Sequence, residues 1–268
     1  MFGVVPKPLW SKRIEPDARN RITLGMRSLL IEHPDGPVLI ETGLGDKEDR
    51  KFLDIYGVEN TGSQGPTLLE DSLGGAGFRP DEVRWVINTH LHFDHAGGNT
   101  RRGDAGDPEP RLSFPNATYV VQARELEFAR HLNERTRASY LAPNFEPVAR
   151  AGRWRLIEGN TELLPGIRLR LTPGHVPWHQ SVVVESEGET LVYLGDIIPT
   201  SAHLPLPWIM GYDLEPLRTL ETKRGLLCEA AEGAWWFFFG HDFRVIRGRV
   251  RPEEKGVVLD QVLERLGG

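Results

Sequence analysis

The stretch NTHLHFDHAGG, residues 88–98, places His90, His92, Asp94 and His95 within six positions, directly after the apolar run VRWVINT. Imidazole nitrogens and carboxylate oxygens crowded in this way form a donor set for divalent transition ions. His90 and His92 lie two apart, so in extended backbone both rings point the same way. Three more residues of this kind close other apolar runs: His175 follows IRLRLT, Asp196 follows TLVYL, and His241 follows WWFFF. His90, His92 and His175 would give three nitrogens to one ion. Asp94, His95 and His241 would hold a second, and Asp196, with two oxygens, could bridge both. Two ions about 3.5–4 Å apart can share a hydroxide whose pKa falls toward about 7, a nucleophile that needs no serine or cysteine. The plainer reading is a solvated polar loop at 90–95. That reading gives no reason for four separate runs to end in His or Asp.

Such residues need rigid strand ends to aim them. Alternating and β-branched runs predict strands over 22–33 and 37–42, joined by a turn at PDG, and over 83–89 and 117–121. Further strands are expected at 154–158, 167–172, 181–186, 190–195 and 235–240. Helical spacing predicts helices over 46–58, 66–77, 122–132 and 216–232, and a closing helix over 252–266. Residues 101–116 form a polar, Pro- and Gly-rich loop, long enough to suggest a function. Residues 1–20 look like an arm laid on a single α/β domain spanning 1–268.

The 268 residues are 39% apolar and 26% charged, a globular composition. The net charge of −6 argues against nucleic acid as a partner, which would call for a basic face. No run approaches the ~18 apolar residues of a membrane span. The opening MFGVVPKPLWSKR lacks the pattern of a secretory leader, so a cytoplasmic protein is expected. Cys228 is the sole cysteine, which excludes a disulfide framework and a cysteine-rich zinc site. The expected partner is a small-molecule substrate; a homodimer is left open.

Thr-His-x-His-x-Asp-His at 89–95, with Gly-His at 174–175, Gly-Asp at 195–196 and Gly-His at 240–241, resembles the metallo-β-lactamase superfamily. Its motif regions can be placed in order across residues 38–241. The resemblance implies a four-layer αββα sandwich, two divalent ions at one edge of its sheets, and the same seven ligands. Zn is expected first, with Fe, Mn or Co as other candidates. The family's first motif usually reads Asp-Thr-Gly, and here it is Glu41-Thr42-Gly43. That position supports the metal ligands from behind, so the longer Glu41 is expected to re-aim its hydrogen bond.

VPKPLW, FPNATYVVQ and PTSAHLPLPW resemble the lactonase and parathion-hydrolase branches. This implies an uncharged ester-like substrate: a lactone, aryl ester or phosphotriester. A metal-bridging hydroxide would attack, while Asp94 orients it and protonates the leaving group. Acyl-homoserine lactonases often carry a tyrosine three residues after the bridging aspartate; here Pro199 stands there, and Tyr212 is the candidate to replace it. Phe93, Trp178, His203 and Trp208 are further candidates for the substrate pocket. His33, His131 and His179 read as structural or surface residues. The alternatives are a glyoxalase II-like thioester hydrolase, since FFGHDF is similar to that family's last motif, and a metal-bearing binding or sensor module without turnover.

Overall fold

The computed structural model describes every residue except 105, 107, 255 and 266–268. The chain falls into two compact units. One is continuous, Ser28–Glu158; the other joins Met1–Arg27 to Gly159–Gly268.

The first residues carry one helical turn, α1 (Lys7–Trp10). The continuous unit follows with β1 (Leu29–Ile31), β2 (Val38–Ile40), α2 (Arg50–Tyr56), α3 (Leu68–Gly75) and β3 (Trp85–Ile87). Next come α4 (Phe93–Ala96), the short strands β4 (Thr100–Arg101) and β5 (Arg111–Leu112), and β6 (Thr118–Gln122). The helices α5 (Ala123–Arg130) and α6 (Glu146–Arg150) and the strand β7 (Trp154–Ile157) complete it. Its main sheet has the order β1-β2-β3-β6-β7, and every pair but β1–β2 is parallel. Parallel neighbours bring the ends of β2, β3 and β6 out at one edge. The loops leaving that edge carry Glu41, the histidine cluster and the start of α5.

Local chemistry explains the helices. Asp49 accepts the Phe52 N–H at 2.8 Å, and Gly57, at φ 65, ends α2 in the left-handed conformation that favours glycine. Thr67 and Glu70 form a capping box at the start of α3. Leu73 of α3 and Val148 of α6 pack with Leu39, Val86 and Tyr119 of the strands to make this unit's core.

The second unit contains β8 (Thr161–Leu164), β9 (Ile167–Leu171), β10 (Gln180–Ser186), β11 (Glu189–Tyr193), α7 (Pro216–Glu232), β12 (Trp236–Phe238), β13 (Val245–Glu253) and β14 (Gly256–Glu264). Its sheet runs β14-β13-β12-β11-β10-β9-β8, antiparallel except for β11–β12. β9, β11 and β12 therefore share one direction. Their C-terminal ends, which lead to His175, Asp196 and His241, emerge at the same edge. Leu226, Leu227 and Ala230 of α7 pack with Val183, Val192 and Phe237 as the core. Each unit is thus α/β, a sheet with helix packed on it.

Two expectations fail. The stretch 22–33 is not one strand: only Leu29–Ile31 is, while Gly25 and Arg27 belong to the other unit and donate their N–H groups to the carbonyls of His241 and Gly240 at 3.0 Å each. The closing helix is also wrong. The described part of 252–266 is the end of β13 and the edge strand β14; residues 255 and 266 lie outside the described residues. Between the pairs Arg249↔Asp260 and Arg247↔Leu263, β14 has two residues where β13 has one, with Gln261 at φ 48. Such a bulge lengthens the apolar repeat locally, so a strand can imitate helical spacing. The predicted loop 101–116 holds the β4–β5 pair at its ends; residues 105 and 107 lie outside the described residues.

Candidate metal centre

In the continuous unit, β3 ends at Ile87 and the backbone runs extended to His92 before α4 turns it back. His90 and His95 are buried, His92 is half-buried, and the Asp94 side chain is 26% exposed. The rings of His90 and His92 are 4.4 Å apart, and those of His90 and His95 are 4.1 Å apart. Glu41 organises the group. Its Oε1 accepts the Thr89 N–H at 2.5 Å, and its Oε2 lies 3.1 Å from His95 Nδ1. A carboxylate accepts, so His95 carries its hydrogen on Nδ1 and its lone pair on Nε2, the nitrogen that can ligate. The extra methylene of Glu41 thus spans two partners.

In the second unit, His175 Nδ1 is 3.0 Å from Asp213 Oδ1, and His241 Nδ1 is 2.8 Å from the Gly25 carbonyl. Both acceptors fix the hydrogen on Nδ1. The Nε2 atoms then face Asp196 from two sides, His175 at 3.2 Å from Oδ2 and His241 at 3.1 Å from Oδ1. In the neutral rings these Nε2 lone pairs face a buried carboxylate, an arrangement that a cation among them stabilises. The donor set therefore fits a divalent ion, and Asp196 offers one oxygen to each side. The Asp196 backbone is held as well, since its N–H donates to His179 Nε2 at 3.0 Å while His179 Nδ1 bonds Thr172 Oγ1 at 2.8 Å.

The structure so places His90, His92, Asp94 and His95 together in one unit, and His175, Asp196 and His241 together in the other. The supporting residues were less visible. His179 reads as structural from sequence, and it is, but what it structures is the Asp196 turn. Asp213 lies 38 positions from His175 and carries no local signal.

The candidate pocket residues separate. Phe93 meets Phe52 and Tyr56 of α2, with ring centroids at 4.9 and 5.2 Å. Trp178 is half-buried just beyond His175. His203 is buried: Phe2 stacks on it at 4.7 Å, its Nε2 donates to the Met1 carbonyl, and Thr200 bonds its Nδ1. Burial pushes its pKa down to about 3, so it stays neutral. Trp208 packs edge-on against Phe2, with Arg13 5.0 Å from its ring centre. Tyr212 is 61% exposed.

Residues 27–241 match the family described as the Metallo-beta-lactamase superfamily. The chain belongs to that superfamily. An N-acyl homoserine lactonase of Bacillus cereus is 30% identical over 244 residues, covering 87% of this chain and 88% of the relative. A probable metal-dependent hydrolase from Staphylococcus aureus is similar in structure, with a TM-score of 0.89 and 30% identity over 99% of this chain and 91% of that one. An N-acyl homoserine lactone hydrolase, solved with the product N-hexanoyl-L-homoserine bound at its catalytic metal center, gives a TM-score of 0.62 and 27% identity over 83% of each chain. The protein is accordingly a metal-dependent hydrolase with the metallo-β-lactamase fold. Among the described residues no helix is long and apolar enough to cross a membrane.

Proposed function

We propose that this metallo-β-lactamase superfamily member hydrolyses lactones with two divalent ions, Zn foremost. His90, His92 and His175 would hold one, Asp94, His95 and His241 the other, and Asp196 would be available to both. The observation that carries the reading is the pair of Nε2 lone pairs aimed at the two oxygens of Asp196, each fixed by a hydrogen bond at Nδ1. The named activity of the lactonase relatives supports the substrate class. Bound there, the ions supply Lewis acidity toward the ester carbonyl and a water ionised near neutral pH.

The chain's own residues do the rest. Asp94, the most exposed of the carboxylates among the proposed ligands, takes the proton of the attacking water and returns it to the leaving alkoxide as the ring C–O bond breaks. The product is a hydroxy acid. No side chain forms a covalent bond to the substrate. Ser181 is buried with its hydroxyl donated to the Leu194 carbonyl at 3.1 Å. The exposed Cys228 thiol has its pKa raised by the neighbouring Glu232, which disfavours a thiolate. The Phe93, Phe52 and Tyr56 rings give a surface for an apolar substituent next to the ligands. Pro199 and the exposed Tyr212 provide no buried phenol beside Asp196, so proton transfer rests on Asp94.

Two measurements test this. Elemental analysis after dialysis should find two ions per chain; metal near zero that added Zn or Mn does not restore overturns the dinuclear centre. Across lactone, thioester, aryl ester and phosphotriester substrates, kcat/KM should be highest on a lactone. A single turnover in oxygen-18 water should label only the acid product. A trapped acyl-enzyme would sink the mechanism, and a preference for thioesters would sink the substrate.

A further inference from the structure

We propose that Glu125 and Tyr140 are positioning residues for the paired ligands His90 and His92. They fix the backbone between the two histidines and the ring of the second. The inference rests on the dinuclear reading above.

Leu91 separates the two ligands and is fully buried. β3 has already ended at Ile87, so no strand partner takes the Leu91 N–H. Glu125 takes it instead: its Oε1 accepts that hydrogen bond at 3.0 Å. The same oxygen accepts the Tyr140 hydroxyl at 2.9 Å. The Tyr140 ring stands against the His92 ring at 4.6 Å and 74°, and Phe128 of α5 backs it at 5.7 Å. Backbone, carboxylate, phenol and imidazole thus form one closed loop around a two-residue ligand pair.

The topology explains why a residue 34 positions away can do this. β6 lies parallel to β3, and α5 starts where β6 ends. Glu125, in the first turn of α5, therefore rises at the edge where the histidine segment leaves the sheet. Because His90 and His92 flank Leu91, a rotation of that one peptide unit would swing both rings. Metal sites tolerate errors of only about 0.5 Å in ligand placement, so one well-anchored N–H sets the geometry of two donors. A carboxylate with no exposed surface is an expensive way to hold a loop that serves packing alone.

The test uses Glu125→Gln, which keeps the size and loses the charge, and Tyr140→Phe, which keeps the ring and loses the hydroxyl. Zn affinity is read by competition with a chromophoric chelator. The ligand-field spectrum is read on the Co-loaded protein, and unfolding on the metal-free protein. We expect Glu125→Gln to weaken Zn binding by about 10- to 100-fold, the range for residues that orient metal ligands, and to alter the Co spectrum. Tyr140→Phe should do the same to a smaller degree. Both should unfold cooperatively without metal. If Glu125→Gln lowers metal-free stability but leaves Zn affinity and the Co spectrum unchanged, its role is structural and the inference falls while the dinuclear reading stands. An unaltered protein that binds no metal overturns both.

Discussion

Glu41 sits at φ 64, a left-handed backbone conformation that costs a non-glycine residue roughly 1–3 kcal/mol. Its two carboxylate contacts, to the Thr89 N–H and to His95, are what this conformation secures. The family's usual aspartate is one methylene shorter and could not keep both without a backbone shift. Glu41→Asp should therefore weaken metal retention about tenfold or more. Equilibrium dialysis against a chelator checks this, and retention equal to that of the unaltered protein would refute it. The proposed ligands were legible as candidates in the sequence, because the spacing of His90, His92, Asp94 and His95 is local and each later candidate closes an apolar run. The residues that aim them were not. Asp213, Glu125 and Gly25 act across 38, 34 and 216 positions, and no periodicity encodes a hydrogen bond of that reach.

The strand ends are legible as elements, but their partners are not. The run 22–33 has strand composition throughout, yet its two halves serve different units, because Gly25 and Arg27 pair with residues 240 and 241 rather than with β2. β14 reads as a helix because its bulge shifts the apolar repeat, while its β-branched pair Val257 and Val258 lies opposite Pro252 and Arg251 of β13. The 25–27 segment matters to the site, since the Gly25 carbonyl fixes the tautomer of His241. Gly240 lets it pass: a Cβ there would lie 2.8 Å from the Tyr193 hydroxyl, which itself donates to the Arg27 carbonyl at 2.6 Å. Gly240→Ala should displace that hydroxyl, cost about 1–3 kcal/mol and weaken metal binding if His241 is the ligand proposed above. Thermal melts with and without Zn would show it, and an unchanged melting temperature in both would refute it.

Across the whole chain, stability should depend on pH through Lys223. Its ammonium has no exposed surface, lies on α7 and donates to the carbonyls of Pro205 and Trp208 at 2.7 and 2.9 Å. Burial lowers its pKa to about 7, against 10.5 for an ordinary lysine. Between those values the unfolded chain binds one more proton than the folded chain. Stability should therefore rise with pH through this window, by up to about 1.4 kcal/mol per pH unit, and be lost as pH falls toward 7. Lys223→Met should flatten that rise in the metal-free protein, as urea titrations from pH 7 to 10 would report. A slope identical to that of the unaltered protein would count against buried Lys223 as its source.

The discontinuous unit has a consequence for biosynthesis. Residues 28–158 are contiguous and can fold while the ribosome is still at work. Residues 1–27 must wait for 159–268, because the Gly25 carbonyl can meet His241 only after that later stretch has been made. At about 5–20 residues per second that interval is on the order of ten seconds or more, during which the opening segment is an exposed client without its sheet. The histidine cluster at 90–95 is thus formed well before the group around Asp196, so any metal capture that needs both, as proposed above, must wait for residues 159–241.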